Sequence, residues 1–118
     1  MDIYKEFNFE AAHFLPNVPA EHKCRTMHGH SYKIRTYIRG KVNPDTGWVI
    51  DFNDLKTAVI PVIKELDHKI LNEITGLENP TVENLAIWIW NKLSPHIPLL
   101  SKIEISETAT SGCIYQGE

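Results

Sequence analysis

The chain has 118 residues, of which 42% are hydrophobic and 23% charged, and its 12 basic and 15 acidic residues give a formal net charge of −3. This composition is typical of one globular domain spanning residues 1–118, and it argues against disorder or a coiled coil. The slightly acidic total gives no indication of the basic surface expected of a nucleic-acid-binding protein, and no apolar run approaches the roughly 20 residues that span a bilayer.

Alternating apolar residues predict strands in the first half of the chain. Residues Ile3–Phe9 alternate, and their apolar face continues to Ala11. The segment Tyr32–Arg39 alternates more regularly and predicts a second strand. The residues of Asn43–Gly47 are typical of a turn, and renewed alternation in Trp48–Phe52 predicts a short strand after it.

The apolar spacing then changes to that of helices. An apolar stripe over Leu55–Leu66 predicts a first helix, which Pro61 should kink or split because proline lacks a backbone donor and crowds the preceding turn. A second helix is predicted over Pro80–Leu93, and Pro95 ends it.

The last part of the chain returns to strand periodicity. Ile103–Glu107 alternates, and Cys113–Tyr115 is long enough for one more short strand. Strands followed by helices and then by strands predict an α+β fold, with a mostly antiparallel sheet and the two helices on one face.

Three histidines suggest a metal site. His28 and His30 lie two residues apart in an extended segment, so both rings face the same side, and His13 continues the apolar face of the first strand. If the two strands pair, three imidazoles meet, which is the ligand set of a catalytic zinc with an open fourth position. The His-Gly-His triplet alone is a weak signal. Cys24, four residues before His28, could instead complete a closed structural Cys-His₃ site.

Two further motifs have both a catalytic and an ordinary interpretation. Cys24 lies between Lys23 and Arg25, whose charges favour a thiolate that could act as a base or nucleophile; the alternative is an inert, partly buried thiol. Asp67 could orient His68 for proton transfer. The alternative is that His68 merely ends the first helix, where its charge suits the helix dipole.

Glu107 shares the inward side of the last long strand. A carboxylate there needs a donor partner, and a ligand with two adjacent N–H groups would pair with it bidentately. The alternative is that its side chain turns back to solvent. His22 and His96 lie in polar loop segments and are expected to be solvated, and Cys113 is expected to pack.

The chain start and the cysteine count indicate the compartment. The first four residues lack the basic and then apolar opening of a signal peptide. Two cysteines are too few for a disulfide framework. We therefore expect a cytoplasmic protein with reduced thiols.

Taken together, the motifs resemble the 6-pyruvoyltetrahydropterin synthase family, and the resemblance extends over Phe7–Glu118. In family order and approximate spacing, the chain contains Phe9-Glu10-Ala11-Ala12-His13, Cys24 with His28-Gly29-His30, Leu66-Asp67-His68 and Glu107-Thr108. Within the family, the chain is most similar to the bacterial branch that forms 6-carboxy-5,6,7,8-tetrahydropterin in queuosine (7-deazaguanine) biosynthesis. The segments that carry this similarity are Gly47–Phe52, Gly76–Thr81 and Gly112–Glu118.

The resemblance implies a fold and an assembly. The family has the tunnelling (T) fold, in which the sheets of small subunits join into a barrel. Its members form a homohexamer of two trimers, with sites between subunits. Joining sheets would also cover edge strands that one short chain leaves open.

The resemblance also implies site residues and a reaction. The family's Zn²⁺ ligands correspond to His13, His28 and His30, its catalytic residues to Cys24, Asp67 and His68, and its pterin-binding carboxylate to Glu107. The implied enzyme is a lyase that converts 7,8-dihydroneopterin triphosphate to 6-carboxytetrahydropterin, acetaldehyde and triphosphate. Three alternatives remain. One is a 6-pyruvoyltetrahydropterin synthase, which eliminates triphosphate without carbon–carbon cleavage, and another is a non-catalytic zinc-stabilised module. The third is a pterin-binding protein that has lost its activity, against which the intact Cys24, Asp67 and His68 argue.

Overall fold

The computed structural model describes all 118 residues as five strands and two α-helices. In chain order these are β1 Asp2–His13, β2 His28–Arg39, α1 Phe52–Leu66, β3 Lys69–Ile70, α2 Val82–Leu93, β4 Leu100–Thr108 and β5 Ser111–Tyr115. The strands form one sheet in the order β3-β1-β2-β4-β5. No helix has both the length and the apolar character needed to cross a membrane.

The long hairpin partners β1 and β2 form the centre of the sheet. They are antiparallel and in register from Asp2 opposite Arg39 to His13 opposite His28. The pairs β2–β4 and β4–β5 are antiparallel too, whereas the two-residue β3 pairs with β1 in parallel. The expected mostly antiparallel sheet is confirmed, with one parallel pair that periodicity did not predict.

Strand alternation sorts the sheet into a buried and an open face. The inward side chains of β1, β2 and β4 pack with α1 and α2 into one hydrophobic core, which confirms the α+β prediction. The sheet residues in this core are Phe7, Phe9, Ala11, Tyr32, Ile34, Ile38, Ile103 and Ile105. The opposite face carries mostly exposed or half-buried polar side chains.

Helix α1 begins at a side-chain cap and continues through its proline. The carboxylate of Asp51 accepts a hydrogen bond from the Asn53 N–H at 2.9 Å. The helix is continuous past Pro61, so the predicted split is wrong. Pro61 is on the exposed side of the helix and has no N–H to donate to the Thr57 carbonyl one turn earlier. Thr57 is exposed as well. Water can therefore hydrate that carbonyl.

The short strand predicted over Trp48–Phe52 is also wrong. These residues form bends that lead into the cap of α1, and Phe52 is already the first helical residue. Asn43 and Gly47 close a turn by a 2.7 Å backbone hydrogen bond, with Gly47 at φ +79°. Val49 and Ile50 then pack against the core. Their alternation reflects this packing, since no neighbouring strand is there to pair with them.

Candidate metal centre and its surroundings

The end of the β1–β2 ladder brings three imidazoles together. His13 and His28 are register partners, and His30 lies two residues further along β2 on the same face. One ring nitrogen from each histidine lies within 4.8 Å of those of the other two. The strand pairing on which the metal hypothesis depends is therefore present.

Backbone carbonyls fix the orientation of two of these rings. The Nδ1 atom of His13 lies 2.8 Å from the carbonyl oxygen of Pro80, and that of His28 lies 2.7 Å from the carbonyl oxygen of Thr26. A carbonyl can only accept, so both Nδ1 atoms carry the proton and donate. The unprotonated Nε2 atoms then face each other at 3.1 Å.

This arrangement of lone pairs fits a cation. Two neutral Nε2 atoms at that separation cannot hydrogen-bond to each other, because neither has a proton to donate. The Nε2 atom of His30 is buried as well and has no hydrogen-bond partner. A divalent metal ion would satisfy all three nitrogens, and three imidazoles would leave a tetrahedral zinc one open position.

Burial shifts the pKa values of His13 and of the neighbouring Tyr32. His13 is only 1% exposed, and this burial lowers its pKa, although the Pro80 carbonyl acts in the opposite direction. The neutral imidazole that a metal requires is therefore favoured. Beneath it, the Tyr32 hydroxyl lies 3.4 Å from the His13 Nδ1 atom. Burial, followed by the charge of Glu107, raises the pKa of Tyr32, so it remains a phenol.

Glu107 lies beside the cluster on β4. Its carboxylate is 3.6 Å from the His30 Nε2 atom, and its side chain is 25% exposed. It points to the buried side of the sheet, as the alternation predicts, instead of turning back to solvent. Its oxygens accept no hydrogen bond from the chain, so they are free to bind donors of a ligand.

Cys24 lies outside the imidazole cluster. It is half-buried in a single 3₁₀ turn, Lys23–Arg25, and its thiol is not among the atoms that approach one another around the three histidines. Both cysteines are free. This geometry favours an open three-histidine site over the closed Cys-His₃ alternative.

Asp67 and His68 are fixed to the edge of β1. The Glu10 N–H donates to the Asp67 carboxylate at 2.9 Å, and the His68 N–H donates to the Glu10 carbonyl at 2.6 Å. The second Asp67 oxygen lies 3.0 Å from the Nδ1 atom of His68. The Glu10 N–H, and then the His68 ring, lower the pKa of Asp67, so it stays ionised.

The backbone of His68 is unusual. It has φ +60°, the left-handed conformation that follows many helices and that is usually occupied by glycine or asparagine. For other residues this conformation costs about 1–2 kcal/mol. The imidazole is 78% exposed and makes no hydrogen bond to the three-histidine cluster. The structure thus pairs Asp67 with His68 but leaves this pair separate from the three-histidine cluster.

Several supporting groups were not found from the sequence. They are the carbonyls of Pro80 and Thr26, and the side chain of Asn72, which forms two hydrogen bonds with the backbone of Phe14 directly after His13. A carbonyl is present in every residue, so no sequence signal marks the two that orient histidines.

Comparison with known proteins identifies relatives over the full length. The profile of the family described as 6-pyruvoyl tetrahydropterin synthase matches residues 2–118. A 6-carboxy-5,6,7,8-tetrahydropterin synthase of Synechocystis sp. is 46% identical and is covered to 91%, with 96% of this chain aligned. A dihydroneopterin monophosphate aldolase of Pyrococcus furiosus is 38% identical, over 81% of this chain and 76% of its own length.

A solved structure confirms the fold of the chain. The 6-pyruvoyl tetrahydropterin synthase of Caenorhabditis elegans superposes with a TM-score of 0.92 at 28% identity, covering 100% of this chain and 96% of that one. The chain therefore has the tunnelling fold that the sequence resemblance implies.

Proposed function

This chain belongs to the 6-pyruvoyl tetrahydropterin synthase family, and on that basis we propose that it is a 6-carboxy-5,6,7,8-tetrahydropterin synthase of queuosine biosynthesis. As a member it is an enzyme, a pterin synthase. The proposed reaction converts 7,8-dihydroneopterin triphosphate and water to 6-carboxytetrahydropterin, acetaldehyde and triphosphate. The observation that carries this choice of product is the 46% identity with the Synechocystis synthase over almost the whole of both chains.

We propose zinc as the metal held by His13, His28 and His30. The three imidazoles present unprotonated or unpartnered nitrogens to one point, as a borderline-soft divalent ion requires. When bound, the ion would supply Lewis acidity that acidifies the hydroxyls and neighbouring C–H bonds of the substrate side chain.

Glu107 is proposed to hold the pterin ring. Its carboxylate is partly buried, has no donor within the chain and lies beside His30. The 2-amino group and the ring N3–H of a pterin present two adjacent donors, which match two carboxylate oxygens. Binding at Glu107 would place the substituent of the ring at the imidazole cluster, so that the ring is fixed before any bond changes.

Proton transfer is assigned to Cys24, Asp67 and His68. Cys24, as a thiolate, would take a carbon-bound proton from the side chain. His68 would relay protons, with Asp67 holding its ring in one orientation across 3.0 Å. The left-handed backbone of His68 supports this role, because a position that glycine would occupy without strain keeps an imidazole instead.

Electrons for reduction of the ring come from the substrate itself. The side chain is oxidised as the dihydropterin becomes a tetrahydropterin, so the transfer is internal. Triphosphate leaves by elimination. Water is then added across the bond between the first two side-chain carbons as it breaks, so that the carbon on the ring becomes the carboxyl group and the other two carbons leave as acetaldehyde.

We further propose that the active form is a cytoplasmic homohexamer of two trimers, with sites shared between subunits. Two observations support this assembly. The sheet ends in an open edge at the five-residue β5, to which another copy can pair. His68 is largely exposed in the isolated chain, whereas its proposed role in proton transfer requires contact with a substrate, which a neighbouring copy could supply. Two free thiols suit a reducing compartment.

Product analysis tests the proposed reaction. The zinc-loaded protein is incubated with 7,8-dihydroneopterin triphosphate, and acetaldehyde, triphosphate and the pterin are quantified. We expect the three products in equal amounts. A pyruvoyl pterin with triphosphate but no acetaldehyde would instead establish the pyruvoyl-forming activity. Turnover of dihydroneopterin monophosphate alone would place the chain with the Pyrococcus aldolase.

A further inference from the structure

We propose that His22 is a positioning residue that holds the turn carrying Cys24. The Nδ1 atom of its imidazole accepts a hydrogen bond from the Cys24 N–H at 3.1 Å and caps the turn Lys23–Arg25. The sequence predicted only a solvated loop histidine at this position. The inference rests on the proposed function, in which the Cys24 thiolate removes a proton.

The turn is restrained mainly by hydrogen bonds, because it contributes no fully buried side chain. None of its three residues is buried. The Cys24 carbonyl accepts from the Leu15 N–H at 2.8 Å, which ties one side of the cysteine to the segment two residues after His13. The Cys24 N–H is tied only by the His22 ring. One of the two anchors of this residue is therefore a side chain.

The two hydrogen bonds that hold Cys24 differ in how a substitution affects them. A bond between backbone groups survives most substitutions, whereas the bond to His22 requires an acceptor at that side chain. A backbone N–H can only donate, so the Nδ1 atom must be unprotonated, and in the neutral ring the proton is on Nε2. Backbone torsions of Cys24 determine where its Sγ atom points. The hydrogen bonds from the Cys24 N–H to His22 and from the Leu15 N–H to the Cys24 carbonyl restrict those torsions, and they therefore restrict the position of the thiol.

The test compares three variants. His22→Ala removes the acceptor. His22→Asn keeps one, because an asparagine side chain accepts from the N–H two residues ahead, as in common caps and turns. His96→Ala is the matched control, since His96 is another exposed loop histidine and its ring has no hydrogen-bond partner. For each protein, acetaldehyde formation gives kcat and KM, and single-amide hydrogen exchange gives the protection of the Cys24 N–H.

We expect His22→Ala to lower kcat about fivefold with KM unchanged, and to accelerate exchange of the Cys24 amide about fivefold, the factor that loss of one capping bond produces. His22→Asn should restore most of both values, and His96→Ala should match the wild type. Unchanged Cys24 exchange in His22→Ala would overturn the inference. So would accelerated exchange with unaltered kcat, because the cap would then not serve the reaction.

The exchange measurement also separates this inference from the proposed function. If the wild-type protein releases no acetaldehyde, the proposed reaction fails whatever His22 does. Exchange at Cys24 still shows whether the His22 cap exists, since it needs no turnover.

Discussion

Single hydrogen bonds decide which atoms the imidazole cluster presents. His13 and His28 each donate Nδ1–H to a carbonyl, so each ring turns its Nε2 atom toward the other. The carbonyl that serves His13 belongs to Pro80, directly before Thr81, the capping residue of α2. The start of α2 and the candidate metal ligand His13 are therefore coupled by one 2.8 Å contact.

Replacing Cys24 with alanine distinguishes an open three-histidine metal site from a closed Cys-His₃ site. Because the thiol lies outside the imidazole cluster, we expect Cys24→Ala to keep its metal while turnover falls at least about 10²-fold, as for loss of a general base. Metal content is measured by plasma mass spectrometry, and turnover by acetaldehyde release.

His28→Ala is the matched control for this experiment and should lose metal and turnover together. If Cys24→Ala lost its metal as well, the thiol would be a ligand, and the zinc-stabilised module would be the better description.

At the residue scale, the orientation of side chains within strands could be predicted, whereas the contacts made by loop residues could not. Strand parity was enough to turn His28 and His30 to one side and Glu107 inward, because a period of two leaves only two faces. The cap at His22 and the carbonyl of Pro80 depend on how loops fold onto the sheet. Those contacts join residues between which the sequence shows no pattern.

At the scale of elements, the register of β1 and β2 builds the imidazole cluster. His13 lies opposite His28 only because twelve consecutive residue pairs are aligned. A slip by one residue would turn His13 away from the other two rings and would expose the apolar residues of β1. The hydrophobic core therefore fixes the geometry of the imidazoles.

Short elements were the ones that periodicity missed. The two residues of β3 are too few to show any period, and their parallel pairing with β1 follows from the hydrogen bonds of Asp67 and His68 with Glu10. Trp48–Phe52 alternated without being a strand. Alternation indicates which side chains are buried, but a segment forms a strand only when a neighbouring strand pairs with it.

Pro61 offers a direct test of how α1 tolerates its proline. Pro61→Ala restores a backbone donor to Thr57 in a helix that is already continuous, so we expect the free energy of unfolding to rise by about 1–3 kcal/mol. Urea unfolding followed by circular dichroism at fixed protein concentration measures it. Lys56→Ala, an exposed change in the same helix, should stay within about 0.5 kcal/mol. A neutral or destabilising Pro61→Ala would mean that the proline causes no strain.

The outer end of the β1–β2 hairpin predicts an acid-sensitive contribution to stability. Arg39 donates two hydrogen bonds to Asp2, at 2.9 and 3.0 Å, and these bonds lower the pKa of the carboxyl from its ordinary 3.8. A lowered folded pKa means that the contribution is complete above the unfolded value and is lost as the pH falls through the folded one.

We therefore expect the free energy of unfolding to drop less between about pH 6 and about pH 3 in Asp2→Asn than in the wild type. Asp45→Asn is the control, because the Asp45 carboxylate has no partner in the chain. Equal drops in Asp2→Asn and the wild type would show that the Asp2–Arg39 pair contributes nothing to the acid response.

At the scale of the whole molecule, the chain holds its candidate site groups in three separate places. The imidazoles and Glu107 lie together, Cys24 lies in its own turn, and the Asp67–His68 pair faces outward from the far side of β1. An open sheet edge at β5 offers a place for a second copy to pair. A closed ring of such contacts would bring the exposed His68 of one subunit toward a neighbour.

Mixing two inactive variants tests whether sites are shared. Cys24→Ala and His68→Ala are each expected to be inactive. If Cys24 and His68 of one site come from different subunits, random reassembly of an equal mixture leaves both residues intact in about one quarter of the sites, because each is correct in half of the copies. We therefore expect acetaldehyde release at about one quarter of the wild-type rate after joint unfolding and refolding. Each variant refolded alone is the control, and a mixture no more active than these would place both residues of a site in one subunit.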